Sequence, residues 1–185
     1  MIGDVSDKGV AAALFMSMTK TLIKIVAQEK FAPSQILSRV NRQICEENDS
    51  AMFITIFLGI LDLDSGEVVF VNAGHNPPLV CSRAEARFLK STPNSAVGLK
   101  DNAAFKEDRL QLAAGQMLFM YTDGITEASN EKEGQFGEWR LKQELASKQD
   151  EAVGAAAKRI LSRVKSFSPG AHQSDDITVL ALRYL

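Results

Sequence analysis

Two cysteines, Cys45 and Cys81, are too few to suggest a disulfide framework. The chain also lacks any long run of Lys or Arg, and its net charge is −2, so nothing argues for nucleic acid or an anionic membrane as a partner. Its longest apolar stretch, Val10 to Met18, is interrupted by Ser17 and followed by Lys20. That is short of the roughly 20 apolar residues needed to span a bilayer. No basic segment with a cleavage site precedes it, which argues against export and for a reducing cytoplasm. No internal repeat and no linker divides the 185 residues, 45% of them hydrophobic, so one globular domain with a sizeable core is expected over 1–185.

What is present reads as helix pair, strands, helix pair, strand. Leu14, Phe15, Met18, Leu22, Ile25 and Val26 recur at helical spacing from Val10 to about Gln28, and the apolar start of this helix should be well buried. Pro33 opens a second helix with the inner stripe Ile36, Leu37, Val40 and Ile44. Ala51 to Leu61 is apolar on both faces, as in a doubly covered strand, and Asp62 to Gly66 turns it into a partner at Glu67 to Ala73. Short strands are expected at Leu79–Cys81 and Arg87–Leu89. Phe105–Leu112 and Gln116–Tyr121 read as a further hairpin, turning at Ala113-Ala114-Gly115. Asn130 to Gly137 reads as a loop without a core face. Trp139, Leu141 and Leu145 mark a short helix; Val153, Ala156, Ala157, Ile160, Leu161 and Val164 mark another, with Asp150 as its N-cap. Ile177 to Leu185 is the last strand. Segregated helices with hairpin-linked strands imply an α+β fold with antiparallel sheets stacked on each other and helices outside.

Three aspartates stand out, each at the edge of an apolar run and beside a turn: Asp4, Asp123 and Asp175. Asp4 or Ser6 could simply cap the first helix, Asp123 could be a turn aspartate, and Asp175-Asp176 could be a solvated loop pair. Brought together by folding, the carboxylates would instead need a cation, and an all-oxygen set suits Mg²⁺ or Mn²⁺.

With their flanks the signals become specific. Gly3-Asp4-Val5-Ser6-Asp7-Lys8-Gly9-Val10-Ala11-Ala12-Ala13-Leu14-Phe15-Met16, Asn72-Ala73-Gly74-His75-Asn76-Pro77-Pro78-Leu79, Tyr121-Thr122-Asp123-Gly124-Ile125-Thr126-Glu127-Ala128 and Ser174-Asp175-Asp176-Ile177-Thr178-Val179 occur in this order. The chain resembles the SpoIIE/RsbU branch of the metal-dependent (type 2C, PPM) serine/threonine protein phosphatases, from Gly3 to its C-terminus. The resemblance implies an α-β-β-α four-layer sandwich of two mainly antiparallel sheets flanked by helix pairs. It implies a two-metal (Mn²⁺ or Mg²⁺) site in which Asp4 bridges both ions, Val5 offers its backbone carbonyl, Asp123 and Asp175 ligate the first metal, and Asp176 supports them, with direct ligation by Asp176 as the less favoured alternative. The implied reaction is phosphoserine or phosphothreonine hydrolysis by metal-activated water, with no covalent phosphoenzyme. Implied partners are a phosphorylated regulatory protein of the anti-sigma-factor-antagonist kind, an N-terminal sensor or receiver domain, and a second copy of the chain.

The sequence departs from that pattern at several places. An acidic motif on the strand before Gly3, which supplies the second metal, is absent, so the domain is expected to lack its first strands. The rival reading follows: a catalytically impaired, phosphatase-like module that binds a phosphoprotein or signalling partner. Asp7 stands where relatives commonly have Gly, and Lys8 is the nearest candidate cation for phosphate. His75 could touch substrate or act as an acid, but a turn histidine hydrogen-bonded to backbone is preferred, and Asn72 is read as structural. Ser129 to Gly137 resembles a variable flap that could select the substrate. Cys81 and Arg87 share the cysteine–five residues–arginine spacing of thiol phosphatases. They lack the glycine-rich loop that chemistry needs and carry Glu85 where an anion would enter. Gly3 to Gly9 lacks the Gly-Lys-Ser/Thr ending of a nucleotide loop.

Overall fold

The computed structural model describes residues 1–46, 48, 50–83, 85–130, 134–148, 151–169 and 175–185. The described residues form four helices and ten strands, which divide into two compact units. The fold is α+β with antiparallel sheets, as expected.

The first unit comprises Met1–His75 and Ser91–Gln111. Its sheet has the order β1-β2-β3-β6, built from β1 (Ile2–Val5), β2 (Ile54–Leu61), β3 (Glu67–Ala73) and β6 (Asp108–Gln111), all antiparallel. Helices α1 (Val10–Ala27) and α2 (Pro33–Glu46) share a core with it. Phe15, Ile23 and Val26 from α1 and Ile36, Leu37, Val40 and Ile44 from α2 join Ile54, Ile56, Leu58 and Val71 of the sheet. The alternate residues Phe57 and Phe70 stack at 5.0 Å between ring centroids and are themselves buried, so β2 and β3 are covered on both faces.

The α2 stripe is the one its periodicity predicts, whereas that of α1 is rotated. Val10 is 79% exposed, Leu14 66% and Ile25 55%, while Ala12, Phe15, Thr19, Ile23 and Val26 are buried. Val10–Ala27 is apolar around most of its circumference, so periodicity could not select a face. Thr19 is tolerated inside because its hydroxyl donates to the Phe15 carbonyl at 2.8 Å. By length and composition alone, α1 is long and apolar enough to cross a membrane. In this unit its inner residues belong to a protein core.

The second unit comprises Asn76–Lys90 and Leu112–Leu185. Its sheet runs β10-β7-β4-β5, from β4 (Leu79–Cys81), β5 (Ala86–Phe88), β7 (Met117–Tyr121) and β10 (Val179–Arg183). Helices α3 (Gly137–Ser147) and α4 (Val153–Phe167) contribute Leu141, Leu145, Ala156, Ile160 and Val164 to a core with Leu79, Phe119 and Tyr121. Trp139 is 70% exposed and marks no inner face. The segment expected to be a plain loop contains β8 (Ser129–Asn130) paired with β9 (Gly134–Gln135), followed by Phe136, which is buried in this core. Helix α4 is preceded by Ala152 as N-cap without a side-chain bond; Asp150 lies outside the described residues.

The expected hairpin of Phe105–Leu112 with Gln116–Tyr121 does not form. Strand β6 pairs with β3, where Arg109 clasps Glu67 through two 2.8 Å bonds, and β7 pairs with β4 and β10. The turn at Ala113–Gln116 passes the chain from one sheet to the other, so strands adjacent in sequence are not partners here.

Candidate active site

Each candidate aspartate sits where a strand meets a turn. Asp4 lies near the end of β1 opposite Thr55 of β2. Neither it nor Ser6 caps α1, whose N-cap is Gly9 with no side-chain bond. Ser6 instead ties the two strands beyond the ladder: its N–H donates to Phe53 O at 2.9 Å and its Oγ accepts from Phe53 N–H at 3.0 Å. The capping explanation for these residues is thereby removed. Val5 is half-buried beside Asp4, and Asp7 is exposed, its Oδ1 accepting the Lys8 N–H.

Asp123 follows β7 in the second unit. Its backbone carbonyl accepts Glu127 N–H at 2.7 Å and the Thr126 hydroxyl at 3.2 Å, which forms the turn. Its side-chain Oδ1 is buried and has no hydrogen-bond partner among the described residues. A turn aspartate earns its place by accepting local N–H bonds, so that account leaves Oδ1 unexplained.

The β7–β10 pairing brings the backbone of Asp175 and Asp176 to the same end. Tyr121 is opposite Val179, Thr122 N–H donates to Thr178 O at 3.1 Å, and the buried Thr122 hydroxyl donates to Asp176 O at 2.8 Å while accepting Thr178 N–H at 2.9 Å. Gly124 completes the junction, since a Cβ there would meet Asp176 O at 2.6 Å and Asp175 O at 3.0 Å. Asp175 is half-buried and accepts the Asp176 N–H at 2.8 Å; Asp176 is exposed. Thr122 and Gly124 were inside a recognised motif, yet their roles became visible only with the strand register.

Among the described residues, no group of three or more His, Cys, Asp or Glu side chains gathers as a metal site. The second unit juxtaposes the Asp123 turn with Asp175 and Asp176, and Asp4 stands on the first unit. Within the second unit, the carboxylates of the Asp123 turn and the Asp175 segment are of the kind a hard divalent cation takes. The buried Asp123 Oδ1, without a hydrogen-bond partner among the described residues, is the kind of group such an ion satisfies.

His75 is buried, 5% exposed, at the end of β3. Asn72 clamps this turn, its Oδ1 accepting His75 N–H at 2.8 Å and its Nδ2 donating to His75 O at 2.9 Å, with Gly74 at φ 74° between them. Asn72 is thus structural, as read. The His75 ring has Nδ1 2.9 Å from Thr55 Oγ1.

Cys81 is buried, and burial pushes its thiol up to about 11, against an opposing effect of Arg183. The thiolate that cysteine-dependent phosphate chemistry requires is therefore suppressed.

Over residues 1–185 the sequence matches the family "Stage II sporulation protein E (SpoIIE)". The chain belongs to the SpoIIE family. Protein IcfG of Synechocystis sp. is 29% identical over 212 residues, covering 98% of this chain and 33% of that protein. Phosphoserine phosphatase RsbU of Bacillus subtilis is 32% identical over 131 residues, covering 70% of this chain and 39% of that protein. The chain therefore spans about a third to two fifths of the length of these relatives. Among solved structures, the SiaA-PP2C domain of Pseudomonas aeruginosa superimposes with a TM-score of 0.86 at 21% identity, over 98% of this chain and 73% of that one. The SpoIIE-family chain thus has the PP2C fold, and PP2C-family phosphatases are metal-dependent.

Proposed function

We propose that this chain is the phosphatase domain of a bacterial, cytoplasmic protein-serine/threonine phosphatase. It would hydrolyse phosphoserine or phosphothreonine on a regulatory protein with two Mn²⁺ or Mg²⁺ ions. The observation that carries the reading is Asp123: a buried carboxylate oxygen with no partner among the described residues, on a turn braced against Asp175 and Asp176, in a chain of the SpoIIE family. Asp4, Asp123 and Asp175 are the carboxylates that would hold the ions, with the Val5 carbonyl as a further oxygen donor. Asp176 supports Asp175, to which its N–H donates.

When bound, the ions supply Lewis acidity, lowering the pKa of water and neutralising charge that develops on the phosphoryl oxygens. The chain's own contribution is placement. Thr122 uses its single hydroxyl twice, as donor to Asp176 O and acceptor from Thr178 N–H, and so locks the segment bearing Asp175 onto the strand bearing Asp123. Gly124 permits that approach because it has no Cβ.

RsbU is named a phosphoserine phosphatase, which supports the substrate class. The remaining parts of the proposal are an anti-sigma-factor-antagonist-like substrate, an N-terminal sensor or receiver domain, and a homodimer. The exposed apolar α1 residues Val10, Leu14 and Ile25 support the homodimer. The test is phosphate release from a phosphoserine protein by the full-length protein, with and without Mn²⁺. Mn²⁺-dependent release is the expected result. Binding of the phosphoprotein with no release under any metal condition would show a binding module instead.

A further inference from the structure

We infer that His75 and Thr55 form a positioning pair for Asp4. Resting on the metal-holding role proposed for that residue, this gives a function to a buried histidine that the hydrolytic scheme does not otherwise use. Thr55 Oγ1 lies 2.9 Å from His75 Nδ1 and 3.4 Å from the Asp4 backbone carbonyl. A threonine hydroxyl has one proton to give. If it donates to Asp4 O, the His75 contact must run the other way, with Nδ1–H donating to Thr55 Oγ1. Both contacts are then satisfied by one direction of donation, from His75 through Thr55 to Asp4, and by one tautomer of the ring.

The far end of this relay is firmly held. His75 is 5% exposed, and Asn72 fixes its backbone through a bond to each of its N–H and C=O groups. The near end is the β1 residue paired with Thr55 in the ladder, two residues before Ser6 makes its bonds to Phe53. Holding the Asp4 carbonyl fixes the Asp4–Val5 peptide plane. That plane is the link between the Asp4 Cα, which bears the carboxylate, and the Val5 Cα, which leads to the next carbonyl, so holding it restricts both. The relay therefore acts on the two oxygen donors of this strand without touching an ion itself, as outer partners of metal ligands commonly do.

The test is Mn²⁺ affinity of the full-length protein, measured by calorimetry without substrate. Thr55→Val removes the hydroxyl with little change of shape, and His75→Ala removes the donor. Each is expected to weaken Mn²⁺ binding by roughly tenfold or more, the usual cost of losing such a partner. Because both act through one relay, the double variant should be no weaker than the weaker single variant. Thr55→Ser, which keeps the hydroxyl, and His75→Asn, whose amide N–H stands near the position of Nδ1–H, should restore affinity to within about threefold of wild type, which simple loss of packing would not. Unchanged affinity in Thr55→Val and His75→Ala, or losses that multiply in the double variant, would overturn the relay while leaving the phosphatase reading intact. A wild-type protein that binds no Mn²⁺ would overturn both.

Discussion

Replacing Gly124 with alanine isolates the contact on which the arrangement of the second unit's aspartates depends. The new methyl group would meet Asp176 O at 2.6 Å and Asp175 O at 3.0 Å. Both atoms are backbone, so neither can rotate away as the end of a flexible side chain would. The segment carrying them is also tied to β7 through Thr122 and the β10 ladder. Relief requires moving the 175–176 backbone from the Asp123 turn, and overpacking of this kind costs about 1–3 kcal/mol. Two simultaneous backbone clashes place Gly124→Ala in the upper half of that range, about 2–3 kcal/mol. At roughly 2–4 °C per kcal/mol for a chain of this size, its melting temperature should fall by about 4–12 °C without metal. Mn²⁺ affinity should also drop, by about tenfold, because the displaced residues include Asp175.

Gly154→Ala is the control within the same unit. Nothing lies within 4 Å of its added Cβ, and the site is in α4. There alanine should stabilise by about 0.5–1 kcal/mol, through its better helix propensity. Circular-dichroism melts of the two variants should thus move in opposite directions. A Gly124→Ala melt within a degree of wild type would show that the carbonyls of Asp175 and Asp176 do not press on this turn.

Asp123→Asn should cut Mn²⁺-dependent phosphate release by orders of magnitude, with little loss of melting temperature in the metal-free protein; full activity would remove Asp123 from the metal set. Cys81 should resist iodoacetamide at pH 8 in the native protein, because its thiol is pushed from 9.0 up to about 11, and alkylation under native conditions should spare activity. The same shift contributes stability that is fully present below pH 9 and is lost as the pH rises toward 11, since the unfolded chain gives up that proton first; Cys81→Ala should flatten this part of a pH–stability curve. Asn41→Ala should destabilise by about 1–3 kcal/mol in denaturant melts, because it strands the buried Gly98 N–H and removes the donor to the part-buried carbonyls of Lys100 and Asp101.

Local chemistry was legible in the sequence wherever it was self-contained. The inner face of α2 could be read because Arg39, Arg42 and Glu46 contrast with Ile36, Leu37, Val40 and Ile44, leaving a single apolar stripe. The face of α1 could not, because Val10 to Phe15 offers apolar side chains in every direction and only packing decides between Leu14 and Ala12. Strands β3 and β4 were placed residue for residue, since a turn bounds β3 at both ends and Pro77-Pro78 precedes β4. The β2–β3 hairpin was legible as well, but the partners of β6 and β7 were not, because the chain leaves one sheet between Gln111 and Met117 and sequence proximity carries no information about that change.

The candidate site divides in the same way. Asp4, Asp123 and Asp175 announce themselves because a carboxylate beside a buried strand needs a reason to be there. The residues that hold them in place are silent in the sequence: Thr55 and Thr122 look like ordinary β-formers, and Gly124 like an ordinary turn glycine. Thr122 spans 56 positions to reach Thr178 and 54 to reach Asp176, and Gly124 matters only because two carbonyls from that same distant segment lie against it. Such roles depend on which strands pair and in what register. A one-residue slip of β10 against β7 would keep every acidic residue in the sequence, yet turn the paired side chains to opposite faces and undo the brace at Asp123. In the proposed site the acidic residues would supply the chemistry, and the register of β7 with β10 places the Asp175 segment against the Asp123 turn.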